Sequence, residues 1–159
     1  MTDIARALQS LGATDWALDG DDIAGLTWLG GEPQFTTEQI LAAAAGQAQA
    51  DLVAYAADRR WRRETGGATW NGWPIHTDVA SQGKYLAELQ AISLGARVDA
   101  DPWKFADGVF RPVANADFAD LAISARAHVR HAFAIEGVVV ASIANGEITS
   151  LAEVDAAFA

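Results

Sequence analysis

The chain contains no cysteine, which excludes disulfides, thiolate metal sites and cysteine nucleophiles. It lacks any uninterrupted apolar run near the roughly 20 residues that a membrane-spanning helix needs. Its opening, MTDIARALQSLG, is short and amphipathic. It has neither the charged region followed by an apolar run nor the small-residue cleavage site of an export signal. A protein made in the cytoplasm, without membrane insertion, is expected. P-loop, dinucleotide and Ser-His-Asp signatures are missing too. Basic residues are scarce at the front. Residues 1–58 hold nine acids and one base, Arg6, while residues 59–159 hold twelve acids and ten bases, within a formal net charge of −10. That balance argues against nucleic acid as a partner and suits docking onto a basic protein surface.

Against these absences stands enough apolar material for a core. The 159 residues are 51% hydrophobic and 20% charged, which fits one domain plus a small N-terminal module and not a disordered chain. Ile4, Ala7, Leu8 and Leu11 keep helical spacing up to Gly12. Asp15–Leu18 and Ile23–Leu29 then read as a hairpin about Asp19-Gly20-Asp21-Asp22. Those acids resemble a calcium loop but lack its later ligands and closing Glu, so a turn is expected. Thr36 with Gln39 forms a capping box that opens a long helix. Its face of Leu41, Ala44, Ala48, Leu52 and Tyr55 runs to Glu64, before Gly66-Gly67.

The region after Gly67 repeats a hairpin-then-helix pattern. Asn71-Gly72 between Ala68–Trp70 and Trp73–His76 is a type I′ turn signal, because both residues accept positive φ. Pro74 makes the second strand an edge. Thr77 caps a predicted helix over Asp78–Leu94, with Val79, Leu86, Leu89 and Ile92 inward. Trp103–Ala106 and Val109–Arg111 make a third hairpin about Asp107-Gly108. Asn115 caps a long helix from about Asp117 to Asn145, stopped by Gly146. Its predicted inner face is Phe118, Leu121, Ala125, Val129, Phe133, Val140 and Ile143, and its span is about 40 Å. Ser150 with Glu153 caps a last short helix. The expected class is α+β, with hairpins alternating with helices and one long C-terminal helix packed on short antiparallel strands. The expected division is an acidic module over residues 1–58 and a second domain over residues 59–159.

Few residues offer chemistry. Arg59-Arg60-Trp61-Arg62-Arg63 suits a phosphate or an acidic partner, with Trp61 as a platform. It equally suits a helix C-terminus, where cations complement the dipole. Trp61, Trp70, Trp73 and Trp103 could form a sugar-stacking shelf or fill core and interface. Trp70 and Trp73 could simply pair across their turn. His128 and His131 are three apart, but no third ligand keeps helical spacing, so no metal is expected. Glu136 falls within the apolar stripe, where a carboxylate needs a partner. It reads as a polar anchor for a Trp N–H, a hairpin amide or an arginine, in preference to a general acid. Thr77, Asp78 and Ser81 are explained by N-capping. No catalytic set, cofactor or enzymatic activity is expected.

The order and spacing of several motifs from Arg59 to Phe158 carry a resemblance. They are Arg59-Arg60 and Glu64 ahead of Gly66-Gly67, Trp70-Asn71-Gly72, Thr77-Asp78 with Ser81-Gln82, Trp103-Lys104 and Asp107-Gly108. Ala127-His128-Val129 with Phe133, Glu136 and Ile143 completes the set. This segment resembles a phage-tail domain of unknown function that recurs in tail-fibre and tail-assembly-like proteins. The resemblance implies a location and no reaction. It implies a virion tail protein, made in the host cytoplasm, at a distal fibre, tip or baseplate. Other tail proteins would be its partners, a homo-oligomer (a trimer by the symmetry of that setting) its assembly, and a host surface glycan a further candidate partner. The chain carries no repetitive shaft, so it is not expected to be a whole fibre. The alternative is a tail-fibre assembly chaperone that is not retained in the virion.

Overall fold

The computed structural model describes residues 3–159, so Met1 and Thr2 of the amphipathic opening lie outside the described residues. The fold is α+β. Among the described residues there are five α-helices and three separate two-stranded antiparallel hairpins.

Helix α1 (Ile4–Ser10) starts where the Asp3 carboxylate accepts the Arg6 amide at 2.8 Å. Strands β1 (Trp16–Leu18) and β2 (Leu26–Trp28) pair with Trp16 opposite Trp28. Ile23, expected in the second strand, lies instead in a 3-10 turn over Ile23–Gly25 that the Asp22 side chain caps. A Cβ on Gly25 would sit 1.9 Å from the Asp19 carbonyl oxygen, so only glycine fits at this close backbone approach.

Helix α2 (Thr37–Thr65) begins with the expected capping box, Thr36 and Gln39 bonding each other's backbone. Its buried face is rotated from the predicted one. Ile40, Ala44, Leu52, Ala56 and Glu64 are buried, while Leu41 and Ala48 are exposed. The reason is tertiary, because α2 serves two cores. Ile40 and Ala44 pack on Ile4, Ala7 and Leu8 of α1, whereas Leu52 and Ala56 pack on residues near the C-terminus. No residue from 45 to 51 belongs to either cluster. The expected division at 58/59 falls inside α2, and the two clusters part between Ala44 and Leu52.

Strands β3 (Ala68–Trp70) and β4 (Trp73–Ile75) are joined by Asn71 and Gly72 at φ 48° and 79°, the geometry of a type I′ turn. Helix α3 (Val79–Ser93) is capped by Asp78, not by Thr77. Thr77 is fully buried, where its hydroxyl donates to the Glu64 carbonyl and accepts the Gly67 amide. Val79 and Leu86, predicted inward, are 74% and 69% exposed. Tyr85 takes the inner position, donating to the His76 carbonyl at 2.8 Å and packing on Trp103 and Phe118. Leu89 and Ile92 do pack on this core. Strands β5 (Pro102–Lys104) and β6 (Phe110–Pro112) form the third hairpin, which the Ala106 amide ties to the Pro74 carbonyl at 2.9 Å.

Helix α4 (Asn115–Ala144) runs unbroken through Gly137–Val140. Asn115, the predicted cap, is its first helical residue. The cap position is Ala114, and the Asn115 amide is met instead by the Asp99 carboxylate at 2.8 Å. The predicted inner face is right at Phe118, Leu121, Ala125 and Ile143 and wrong in between. Ala132 and Val139 are buried, Val129 and Val140 half-buried, and Phe133 is 49% exposed. The buried positions serve two neighbours: Val139 and Ile143 pack on α2, whereas Phe118, Leu121 and Ala125 pack on the core made by the second and third hairpins and α3. Helices α2 and α4 form an antiparallel seam, since Val139 and Ile143 meet Leu52 and Ala56 while His128 meets Arg63. The strands also receive α4, through a 2.8 Å bond from the Trp70 indole to Asp120. Helix α5 (Leu151–Ala157), with its Ser150–Glu153 capping box, closes the second core through Val154 and Phe158.

Two adjacent valines test this seam. Val139 is 1% exposed and Val138 68% exposed. In urea unfolding, Val139→Ala is expected to cost about 2 kcal/mol. Val138→Ala should be neutral or stabilise by up to about 0.5 kcal/mol through helix propensity. Equal effects would contradict the packing described.

Candidate functional site

The arginine run lies in the last turns of α2, and the structure pairs each guanidinium within the chain. Arg59 Nε is 3.0 Å from Asp155, which also accepts the Tyr55 hydroxyl at 2.8 Å. That bond to the carboxylate raises the Tyr55 pKa above its ordinary value. Arg60 bridges Glu64 and Glu136, the latter at 3.2 Å, and lies 4.5 Å over the Phe133 ring. Arg62 meets Asp58 at 2.9 Å on the surface. Arg63 donates to the Phe158 carbonyl at 2.6 Å and so holds the C-terminal end of the chain. Each guanidinium thus has a carboxylate or carbonyl of the chain beside it, while Arg59 Nε and Arg63 Nε make no hydrogen bond among the described residues. Trp61 is 55% exposed, and Arg62 beside it is exposed too.

Glu136 is half-buried and accepts from Arg60, the arginine among the three partners foreseen for it. His128 Nε2 is 2.7 Å from the Arg63 carbonyl, so that nitrogen carries its proton. His131 is exposed. Among the described residues no three His, Asp or Glu side chains converge as a metal site would require.

The tryptophans do not line up as one shelf. Trp70 is buried, its ring stacked on Phe105 at 6.4 Å and tilted against Trp73 at 6.0 Å. The two indoles pair across their turn. Trp73 also meets Phe105 edge-on at 5.3 Å, and Arg111 covers both rings at 5.2 and 5.0 Å. Asp107 fixes that guanidinium with bonds of 2.7 and 2.9 Å. Trp103 packs on the same core through other rings, Tyr85 and Phe118, and burial there pushes the Tyr85 hydroxyl up to about 12. Trp61 stacks on none of these rings.

Two features went unforeseen in the sequence. Arg97 is buried, where it bonds Glu88 at 2.8 Å, the carbonyls of Val113 and Asp101, and the Asn115 side chain, with Phe118 beneath it. It pins the third hairpin to the start of α4. The other feature is a groove of about 450 Å³ between α3 and α4. Leu86, Leu89, Ile123 and Val129 line it, with Arg126 and Arg130 alongside. Ile123 is 63% exposed. The available signal was Arg126 and Arg130 one turn apart beside Ile123, on a helix otherwise rich in alanine and valine. A smaller cavity of about 190 Å³ is lined by His76, Ser81, Lys84, Tyr85, Trp103 and Lys104.

A family described as a domain of unknown function, DUF4376, matches residues 47–158. No curated protein and no solved structure matches the chain.

Arg60 compensates two carboxylates at once, so its loss should exceed the loss of either acid. Arg60→Ala is expected to cost about 2–3 kcal/mol in urea unfolding, because Glu64 stays buried without its partner. Glu136→Gln should cost about 1 kcal/mol, because the amide oxygen can still accept from Arg60 and only the charge is lost. The reverse ranking would contradict the geometry. Asp107 offers a second check, since Arg111 holds its carboxyl down to about 2. This depression makes the pair contribute to stability above the ordinary carboxylate pKa, and the contribution is lost as pH falls through about 2. A carboxyl NMR titration should place the Asp107 midpoint there and raise it toward the ordinary range in Arg111→Ala, where the Val109 amide still holds it partly down.

Proposed function

The chain belongs to the DUF4376 family, and on that premise we propose that it is a structural component of a bacteriophage or phage-like tail. The site would be a distal fibre, tip or baseplate, where the protein mediates attachment between proteins and carries out no reaction. The observation behind an attachment role is the uncovered face of α4. By length and composition this helix is apolar enough to cross a membrane, yet only 17% of its most apolar 18-residue window is buried. Its packed face is shared with α2 and the hairpins, and the side with Ile123 and Val138 is open. Exposed apolar surface of that kind marks a site of contact with another molecule.

The tail setting rests on the ordered motifs from Arg59 to Phe158, which lie within the family match. Other tail proteins would then be the partners, with a trimeric homo-oligomer favoured by the setting. A host surface glycan is the second candidate contact. Trp73, half-exposed under Arg111, is the aromatic surface it would meet. The competing reading is an assembly chaperone for the tail fibre, whose apolar groove would cover a client only transiently.

Quantitative mass spectrometry of purified particles separates the two readings. Stoichiometric presence in the virion is expected of a tail component. Presence in the infected cell with absence from the particle would sink the structural claim and leave the chaperone.

A further inference from the structure

We propose that copies of this chain associate head to tail, with the acidic N-terminal module of one copy docking into the α3–α4 groove of the next. The inference stands independently of the tail setting.

The groove requires a partner with an apolar projection and negative charge. Leu86 and Ile123 stand open beside it, Leu89 and Val129 form part of its wall, and Arg126 and Arg130 flank it. Among the described residues, Arg126 and Arg130 make neither an ion pair nor a side-chain hydrogen bond. They differ in this from the arginines of α2, which the chain's own acids and carbonyls occupy. A pair of uncommitted guanidiniums on an apolar groove recognises carboxylates set beside a hydrophobic side chain.

The N-terminal module carries that complement. Asp15, Asp19, Asp21, Asp22, Glu32 and Glu38 are exposed, and none of them is in an ion pair among the described residues. Two exposed leucines stand among these acids. Leu29 ends the first hairpin three residues before Glu32, and Leu41 lies one turn beyond Glu38 on α2. The chain thus holds an acidic surface with leucines at one end and an arginine-flanked apolar groove at the other. The two surfaces are different, so the contact is heterologous. It builds a ring if the rotation per copy closes and a filament if it does not.

The test uses the full chain in sedimentation equilibrium. Wild type should show an average mass above one chain at low salt, with association weakened roughly tenfold or more in high salt. Two variants disable opposite ends without creating a new complement: R126Q/R130Q at the groove and E32K/E38K at the module. All four positions are exposed, so both variants should keep the wild-type circular dichroism and melting temperature. Each alone should be monomeric. Mixed, they should form a one-to-one dimer, because each retains the end that the other has lost. Three outcomes would overturn the proposal. One is wild type that stays monomeric at high concentration and low salt. Another is a mixture that stays monomeric while wild type associates, which is the behaviour of a symmetric interface. The third is a monomer that binds anionic vesicles through Arg126 and Arg130 without self-association.

Discussion

The antiparallel seam between α2 and α4 is the constraint on which the other elements depend. Its apolar half is Leu52 and Ala56 against Val139 and Ile143. Its polar half is Arg60 between Glu64 and Glu136, with His128 donating to the Arg63 carbonyl. The end of α2 is satisfied in the same place, where the Thr77 hydroxyl accepts from the Gly67 amide and donates to the Glu64 carbonyl. Terminal carbonyls of a helix have no intrahelical partner. Here those of Arg63 and Glu64 are taken up by residues that also position α4 and the second hairpin. Register along the seam therefore sets the hairpins, and the hairpins carry the aromatic core that closes over Phe118.

Local chemistry was legible in the sequence because its signals need no partner. Asn71-Gly72 dictates its turn through positive φ, and Thr36 with Gln39 and Ser150 with Glu153 cap helices through contacts three residues apart. Neighbouring apolar residues were harder to rank. Ile40 is buried and Leu41 is not, and Val139 is buried where Val140 is only half so. Each of these choices is made by a helix distant in sequence, and periodicity alone tolerates both answers. Thr77 shows the same limit. A hydroxyl before a helix reads as a cap, yet Asp78 does that work and Thr77 is drawn into the joint below.

Candidate sites divide along the same line. The arginine run was conspicuous in the sequence, but its availability depended on acids as distant as Asp155 and Glu136. Trp70 read equally as a shelf member or as core filler, and Asp120 and Phe105 take its N–H and its face. The less conspicuous Arg126 and Arg130 emerge as an uncommitted pair because, among the described residues, no acid forms an ion pair with them. What distinguishes the two sets is compensation, which is a property of the folded neighbourhood and not of residue type.

The stretch of α2 between Ala44 and Leu52 links two cores and belongs to neither. The cross-connections there are an exposed Arg6–Asp51 pair at 2.6 Å and a bond from Gln47 to the Arg6 carbonyl at 3.1 Å. A helix advances about 1.5 Å and turns about 100° with each residue. The eight steps across this stretch therefore set both the separation of the two cores and the angle between them. Residues 45–51 act as a protractor. One residue more or fewer would leave each core intact and swing the acidic module to a different bearing. The compass direction of that module is written in the length of a helix, and the two contacts to Arg6 hold it there.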